Sequence, residues 1–231
     1  MLTMFIVIAT VSAALIAGAA WGLWGRLSDR TEGFLIAMAG GALIVSVMLE
    51  MVVPASDHLP LWALSLAIGL GAGLFTFADA RVSADNESGG TGLLLAITFD
   101  GIPENLALGV ALIGTTAPEV AALAGSILLS NLPEAAGGAK RMREAGMSRT
   151  RVMTLWALTT ALLAVAAVVG NLALSGLDDT WLAAIRAFAA GAVTASLATE
   201  VFPPAFREEH YPTGIAVTLG LIVAFALTTL A

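Results

Sequence analysis

The sequence contains no cysteine, which excludes a disulfide framework, a thiolate metal site and a cysteine nucleophile. Charge is also scarce: Asp, Glu, Lys and Arg make up 12% of the 231 residues, against about a quarter of a soluble globular chain. Of the two histidines, His58 and His210, neither has a second histidine at ligand spacing, and both fall where solvated loops are expected. No basic face suited to nucleic acid is visible. What is abundant is apolar surface, at 58% of residues. It comes in blocks of about twenty, the length that crosses a hydrocarbon core of about 30 Å at about 1.5 Å per residue. The first block has no basic flank before it and is too long for a cleaved leader, so it is counted as a span.

Apolar runs bounded by charge, Gly or Pro give eight expected helices, at about 2–24, 33–54, 59–79, 92–113, 118–139, 152–174, 180–203 and 212–230. The fold class expected is therefore all-α: a polytopic membrane protein in which residues 1–231 form a single transmembrane domain. Arg26, Arg30, Arg81, Lys140, Arg141, Arg143, Arg149, Arg151 and Arg207 all follow odd-numbered spans, and none lies in the opposite loops. Basic loops stay cytoplasmic, so both termini are expected outside an inner membrane. Arg186, early in span 7, either snorkels to the outer interface or pairs with an acid. The stretch 80–91 is Gly/Ser/Asp-rich and reads as a flexible cytoplasmic loop. Trp21, Trp24, Trp62, Trp156 and Trp181 fall near span ends, as in an interfacial aromatic belt.

The chain also repeats itself. Ala37, Ala39, Gly41, Ala42, Ser46, Glu50, Pro54 and Ala55 recur 150 residues later as Ala187, Ala189, Gly191, Ala192, Ser196, Glu200, Pro204 and Ala205. Small residues match easily by chance in membrane helices, but a matched Glu and a matched Pro do not. Spans 4 and 5 form a second pair, in which Pro103 and Glu104 match Pro133 and Glu134. Relating spans 1–3 to 6–8, and 4 to 5, makes related helices run in opposite directions. That is an inverted repeat, a plan on which many secondary transporters are built.

The acids inside these spans are the candidate site. An ionised carboxylate in hydrocarbon costs at least a few kcal/mol unless it is paired, protonated, metal-bound or beside water. Asp100, Glu104 and Glu134 fall deep in spans 4 and 5. Asp100 and Glu104 share one helix face, Ser130 and Glu134 repeat that spacing, and Asn131 adds an amide oxygen. Pro103 and Pro133 cannot donate to the carbonyls of Phe99 and Leu129, so both helices are expected to kink at the acids and offer carbonyl oxygens to a hard cation. Glu50 and Glu200 are read as lying nearer the cytoplasmic ends of their spans, as exit-pathway acids. Ser46, Ser196, Gly41 and Gly191 are read as close-packing residues. The competing reading is of structural kinks with protonated acids hydrogen-bonded between helices, and duplication of the whole constellation argues against it.

With these motifs the sequence resembles the ZIP family of divalent metal transporters, whose fourth span carries His-Asn-x-Pro-Glu-Gly and whose fifth carries a related Pro-Glu motif. The corresponding positions here read Asp100-Gly101-Ile102-Pro103-Glu104-Asn105 and Ser130-Asn131-Leu132-Pro133-Glu134. The family's second and seventh spans end in a Glu/His-x-x-Pro type of sequence, matched by Glu50 to Pro54 and Glu200 to Pro204. The resemblance implies transport of a divalent ion, with Glu104, Glu134, Asp100, Asn131 and, more marginally, Ser130 as metal ligands. It implies no prosthetic group; the metal is the substrate. The family's histidine is Asp100 here, and span 6 contributes no ionisable residue. An all-oxygen ligand set suits Mn²⁺, Mg²⁺ or Fe²⁺, while Zn²⁺ also accepts carboxylates and generally binds more tightly than the early metals.

Two other classes compete: an intramembrane metal-dependent hydrolase using paired acids to activate water, and a non-transporting membrane metal sensor or scaffold. The first lacks His or Cys beside the acids, and an inverted repeat suits alternating access better than one-sided chemistry. The partners expected are the metal ion and the lipid bilayer, with a homodimer as the one assembly considered and no nucleic acid.

Overall fold

The computed structural model describes residues 2–85, 98, 101–102, 104–106, 108–110, 112–113, 117–174 and 176–230. All regular structure among them is helical. In chain order the helices are α1 (Leu2–Trp24), α2 (Asp29–Ser46), α3 (Val53–Ser56), α4 (Leu61–Asp85), α5 (Ala117–Glu144), α6 (Arg149–Leu174), α7 (Asp179–Ser196), α8 (Phe202–Glu209) and α9 (Pro212–Leu230). Helical residues also occur between 98 and 110. Among the described residues, six helical stretches are long and apolar enough to cross a membrane: Met4–Trp24, Asp29–Ser56, Leu61–Arg81, Arg149–Leu174, Asp179–Arg207 and Pro212–Thr229. Their outward faces are studded with exposed Leu, Ile, Val and Phe, as lipid-facing helices require.

Part of the stretch expected to be a flexible loop at 80–91 is helix, because α4 continues to Asp85; residues 86–91 lie outside the described residues. The added turns keep the Arg81 guanidinium 4.4 Å from the centre of the Phe77 ring, a cation–π contact at helical spacing.

The chain repeats locally at the 150-residue offset. Both α2 and α7 are 18 residues long, and each is N-capped by a side chain: Ser28 Oγ accepts from Thr31 N–H, and Asp178 accepts from Trp181 N–H. Both then widen into a π-helical turn, Val47–Val52 after α2 and Leu197–Val201 after α7. The cause is in the sequence. Pro54 and Pro204 cannot supply the N–H that the carbonyls of Glu50 and Glu200 would accept in an α-helix. The ladder therefore slips by one residue: Val53 N–H bonds the Met48 carbonyl and Phe202 N–H bonds that of Leu197, each five residues back.

Glycines close the helix pairs. A Cβ on Gly18 or Gly22 of α1 would strike the carbonyls of Leu132 and Ala136 on α5, and one on Gly41 or Gly220 would strike backbone across the α2–α9 contact. Gly71 and Gly191 do the same between α4 and α7, and Gly109 and Gly170 between the 98–113 segment and α6. These are close backbone approaches of the kind small residues permit in membranes.

The apolar clusters then divide the described residues into two groups. One cluster joins Leu15 and Ala19 of α1, Ala135 of α5 and Trp156 and Leu163 of α6, with Ile102 against it. Another joins Met4 and Ile8 to Ala167 and Leu112. Four further clusters among the described residues draw on α2, α3, α4, α7, α8, α9, the π turns and the α3–α4 connection. By these clusters α1, the 98–113 segment, α5 and α6 form a first group and α2, α3, α4, α7, α8 and α9 a second, and α5 also lies against the second group, where Gly137 meets Ile36 and Gly125 meets Leu227. Trp156, expected in the interfacial belt, is instead fully buried in the first group, because the inward stripe of α6 (Val152, Trp156, Thr159, Leu163) places it against α1 and α5. Trp24, Trp62 and Trp181 are exposed as a belt requires.

Candidate metal site and flanking acids

The site expected at mid-span belongs to the first group. α6 holds the 98–113 segment alongside it: Gly101 lies against Leu163, Gly109 against Ala167, and the Asn171 side-chain amide donates to the Gly109 carbonyl at 3.0 Å. On this segment Glu104 is 7% exposed, and the Asn105 amide donates to the Gly101 carbonyl at 2.9 Å. α5 supplies the other half. It runs through Pro133 as one helix, with Asn131 3% exposed, Pro133 buried and Glu134 half-buried. Ile102, two residues before Glu104, packs against the apolar cluster that contains Ala135, the residue after Glu134.

Asp100 and Pro103 lie outside the described residues, and so does the side chain of Ser130, whose backbone is part of α5. Among the described residues no group of three or more His, Cys, Asp or Glu side chains is placed to hold a metal ion. The carboxyl-bearing set described for the mid-span site is therefore Glu104 and Glu134, accompanied by the amide of Asn131. Carboxylate and amide oxygens of this kind are ligands for hard or borderline divalent ions.

Glu50 and Glu200 do not share an end of the molecule, and the reading that puts both near the cytoplasmic ends of their spans is corrected by the packing of α2 on α7. Gly40 lies against Val201 and Phe202, and Ile36, Ala37 and Leu43 cluster with Leu197, Val201 and Ala205. Further along, Val47 and Met51 cluster with Ala189, Ala190 and Val193. Partners recede along one helix as they advance along the other, so the two are antiparallel. Glu200 is level with Gly40, and Glu50, ten residues further on, is about 15 Å away along the axis. The error came from treating helices of opposite direction as if their C-terminal ends coincided.

Between these acids lie Ser46 and Ser196, 4% and 1% exposed, with Ser46 in hydrogen-bonding reach of the Glu50 side chain. Glu50 has one carboxylate oxygen buried and, among the described residues, unpartnered. Gly41 and Gly191 pack as expected, against backbone of α9 and α4. The signal that could have located the π turns is the matched Glu-to-Pro spacing at 50–54 and 200–204.

A second charged cluster escaped the sequence reading. Glu32, expected in a loop, is 5% exposed within the first turns of α2. Lys140 Nζ lies 2.8 Å from its Oε2 and also bonds Asp29, while Arg141 Nε is 3.4 Å from its Oε1. Gly137 leaves the space that Glu32 occupies. Burial works against the charge of Lys140, but hydrogen bonds and attraction from Asp29 and Glu32 outweigh it and hold the amine above its ordinary value. This cluster ties α5 of the first group to α2 of the second. Arg186 forms a second tie: its guanidinium donates to the Val110 carbonyl at 3.1 Å rather than to an acid.

No protein-family model matches the chain, and no curated protein is significantly similar to it.

Proposed function

We propose that the chain is a divalent metal ion transporter, similar to the ZIP family, that moves Zn²⁺, Fe²⁺ or Mn²⁺ across an inner membrane by alternating access through a mid-membrane carboxylate site. The observation that carries this reading is the burial of the Glu104 carboxylate and the Asn131 amide inside a group of apolar helices. Polar groups at such depth are costly, and cation pathways are where membranes tolerate them. Glu104, Glu134 and Asn131 are the proposed ligands, with Asp100 and Ser130 completing the set.

The arrangement of eight spans with an inverted repeat belongs to this proposal. Its support is the 150-residue recurrence of cap, helix, π turn and proline, together with the glycine-closed pairs α2–α9 and α4–α7, which relate span 2 to 7 and span 8 to 3. The proposed ligands ride on one helix group, while Glu50 and Glu200 ride on the other, displaced to opposite ends. Rocking one group against the other would present the bound ion first to Glu50 and then to Glu200, across a junction that includes the ion pairs of Glu32 and the small residues Gly125 and Gly137.

The test is metal flux into proteoliposomes. Glu104→Ala and Glu134→Ala are each expected to abolish accumulation while leaving the protein folded and monodisperse. Uptake retained at the wild-type rate in both variants refutes the site, and lipid or peptide turnover without flux would favour the hydrolase reading.

A further inference from the structure

We propose that a groove between α1 and α6, at the end of the molecule where the arginines gather, binds an anionic phospholipid. The groove has a volume of ≈ 470 Å³ and is lined by Ile16 and Trp24 of α1 and by Arg149, Met153, Thr154 and Ala157 of α6. Its chemistry is graded along its length. Arg149 opens α6, whereas Ala157 lies eight residues further on, about 12 Å away along the axis. Ile16 and Trp24 span the same distance on α1. One end therefore offers a guanidinium and an exposed indole, and the other offers only aliphatic surface. A phosphate with the upper part of one acyl chain has that polarity, and 12 Å is less than half of a core of about 30 Å.

Charge complementarity selects an anionic headgroup. Arg26, Arg30, Arg149 and Arg151 are all exposed, and among the described residues none of them forms an ion pair. The acids at that end, Asp29, Glu32 and Glu144, are engaged with Lys140 and Arg141. The local positive charge is thus left for a partner outside the protein. A guanidinium meets phosphate oxygens with two parallel donors, and Trp24 lies where indoles settle among headgroups. Both walls of the groove belong to the helix group that carries Glu104, so the bound lipid fastens that group to the headgroup layer.

The test is independent of transport. The full chain is reconstituted in nanodiscs of equal phosphatidylglycerol and phosphatidylcholine, and retained lipid is counted by native mass spectrometry. Wild type is expected to retain phosphatidylglycerol in preference. Arg149→Gln should lower that retention about fivefold, the scale of one basic residue at a membrane surface. Ala157→Trp, which fills the apolar end and keeps every arginine, should lower it comparably. Equal retention of the two lipids by wild type, or unchanged phosphatidylglycerol retention in Arg149→Gln, overturns the proposal. Loss in Arg149→Gln with wild-type retention in Ala157→Trp also overturns the groove, because it leaves only a surface phosphate contact.

Discussion

The same substitution, made two residues apart on α4, should have opposite effects on stability. At Gly71 an added Cβ would lie 2.8 Å from the carbonyl carbon of Phe188 on α7, and closer still to its oxygen. The nearer oxygen sets the requirement, and since carbon and oxygen rest at about 3.3 Å the backbones must part by more than about 1 Å at their closest point. Neither partner is a flexible side chain that could swing aside. Overpacking of this kind costs about 1–3 kcal/mol, and the gain of about 0.8–1 kcal/mol from replacing a helical glycine with alanine offsets part of it. At Gly69 nothing lies within 4 Å of the new Cβ, so only the propensity gain remains. The two variants should differ by about 2 kcal/mol. For a chain of this length that corresponds to about 4–8 °C in Tm, measured by thermal unfolding in one detergent, with Gly69→Ala above wild type and Gly71→Ala below it. Gly191→Ala strikes the same contact from the other side, so its cost should be less than additive with that of Gly71→Ala. Equal melting temperatures for Gly69→Ala and Gly71→Ala would refute the close approach of α4 to α7.

Two further predictions concern the flanking acids and the junction. Because the chain has no cysteine, Glu50→Cys and Glu200→Cys each give a single-thiol protein, and a membrane-impermeant maleimide should label them preferentially from opposite sides of sealed vesicles; labelling of both from one side would return these acids to one end. At the junction, Glu32→Gln should lower Tm and weaken the tie between α5 and α2, since it removes the buried charge that Lys140 and Arg141 share. The Lys140 amine is raised above its ordinary value of 10.5, so its stabilisation is fully present below pH 10.5 and is lost as pH rises through its higher folded value. Lys140→Met should therefore flatten the alkaline end of the stability profile, and an unchanged profile would count against the ion pair.

The helices were legible because length and hydropathy largely decide whether a segment suits a bilayer: six of the eight expected segments coincide with described helices long and apolar enough to cross one, α5 covers a seventh as a helix that is not among those six, and most of the stretch 92–113 lies outside the described residues. Glu32 was not, because its burial depends on Gly137 leaving room beside it and on two cations more than a hundred residues away. Trp156 was misplaced for a related reason: nearness to a span end is a one-dimensional property, whereas burial depends on which face of α6 meets α1. The kinks were expected at Pro103, which lies outside the described residues, and at Pro133, through which α5 continues as helix, whereas the π turns precede Pro54 and Pro204. Of the proposed ligands, Glu104 and Asn131 are buried as a mid-membrane site requires.

The displacement of Glu50 from Glu200 bears on how a transporter of this design would work. If both acids lay at one end, they could only assist release. Antiparallel packing of α2 on α7 places them about 15 Å apart along the axis, with Ser46 and Ser196 buried between. A π turn accompanies each acid, so each end has a carboxylate beside locally rearranged backbone carbonyls, which are suited to strip and replace the water of a hard cation. The proposed ligands Glu104, Glu134 and Asn131 lie on the other helix group, whose apolar clusters are separate from those of α2 and α7. An ion held there would pass from one flanking acid to the other only if the two groups moved relative to each other. Such motion would have to rearrange the face where α5 meets α2 and α9, including Gly137 against Ile36, together with the bonds of Lys140 and Arg141 to Glu32 and of Arg186 to the Val110 carbonyl.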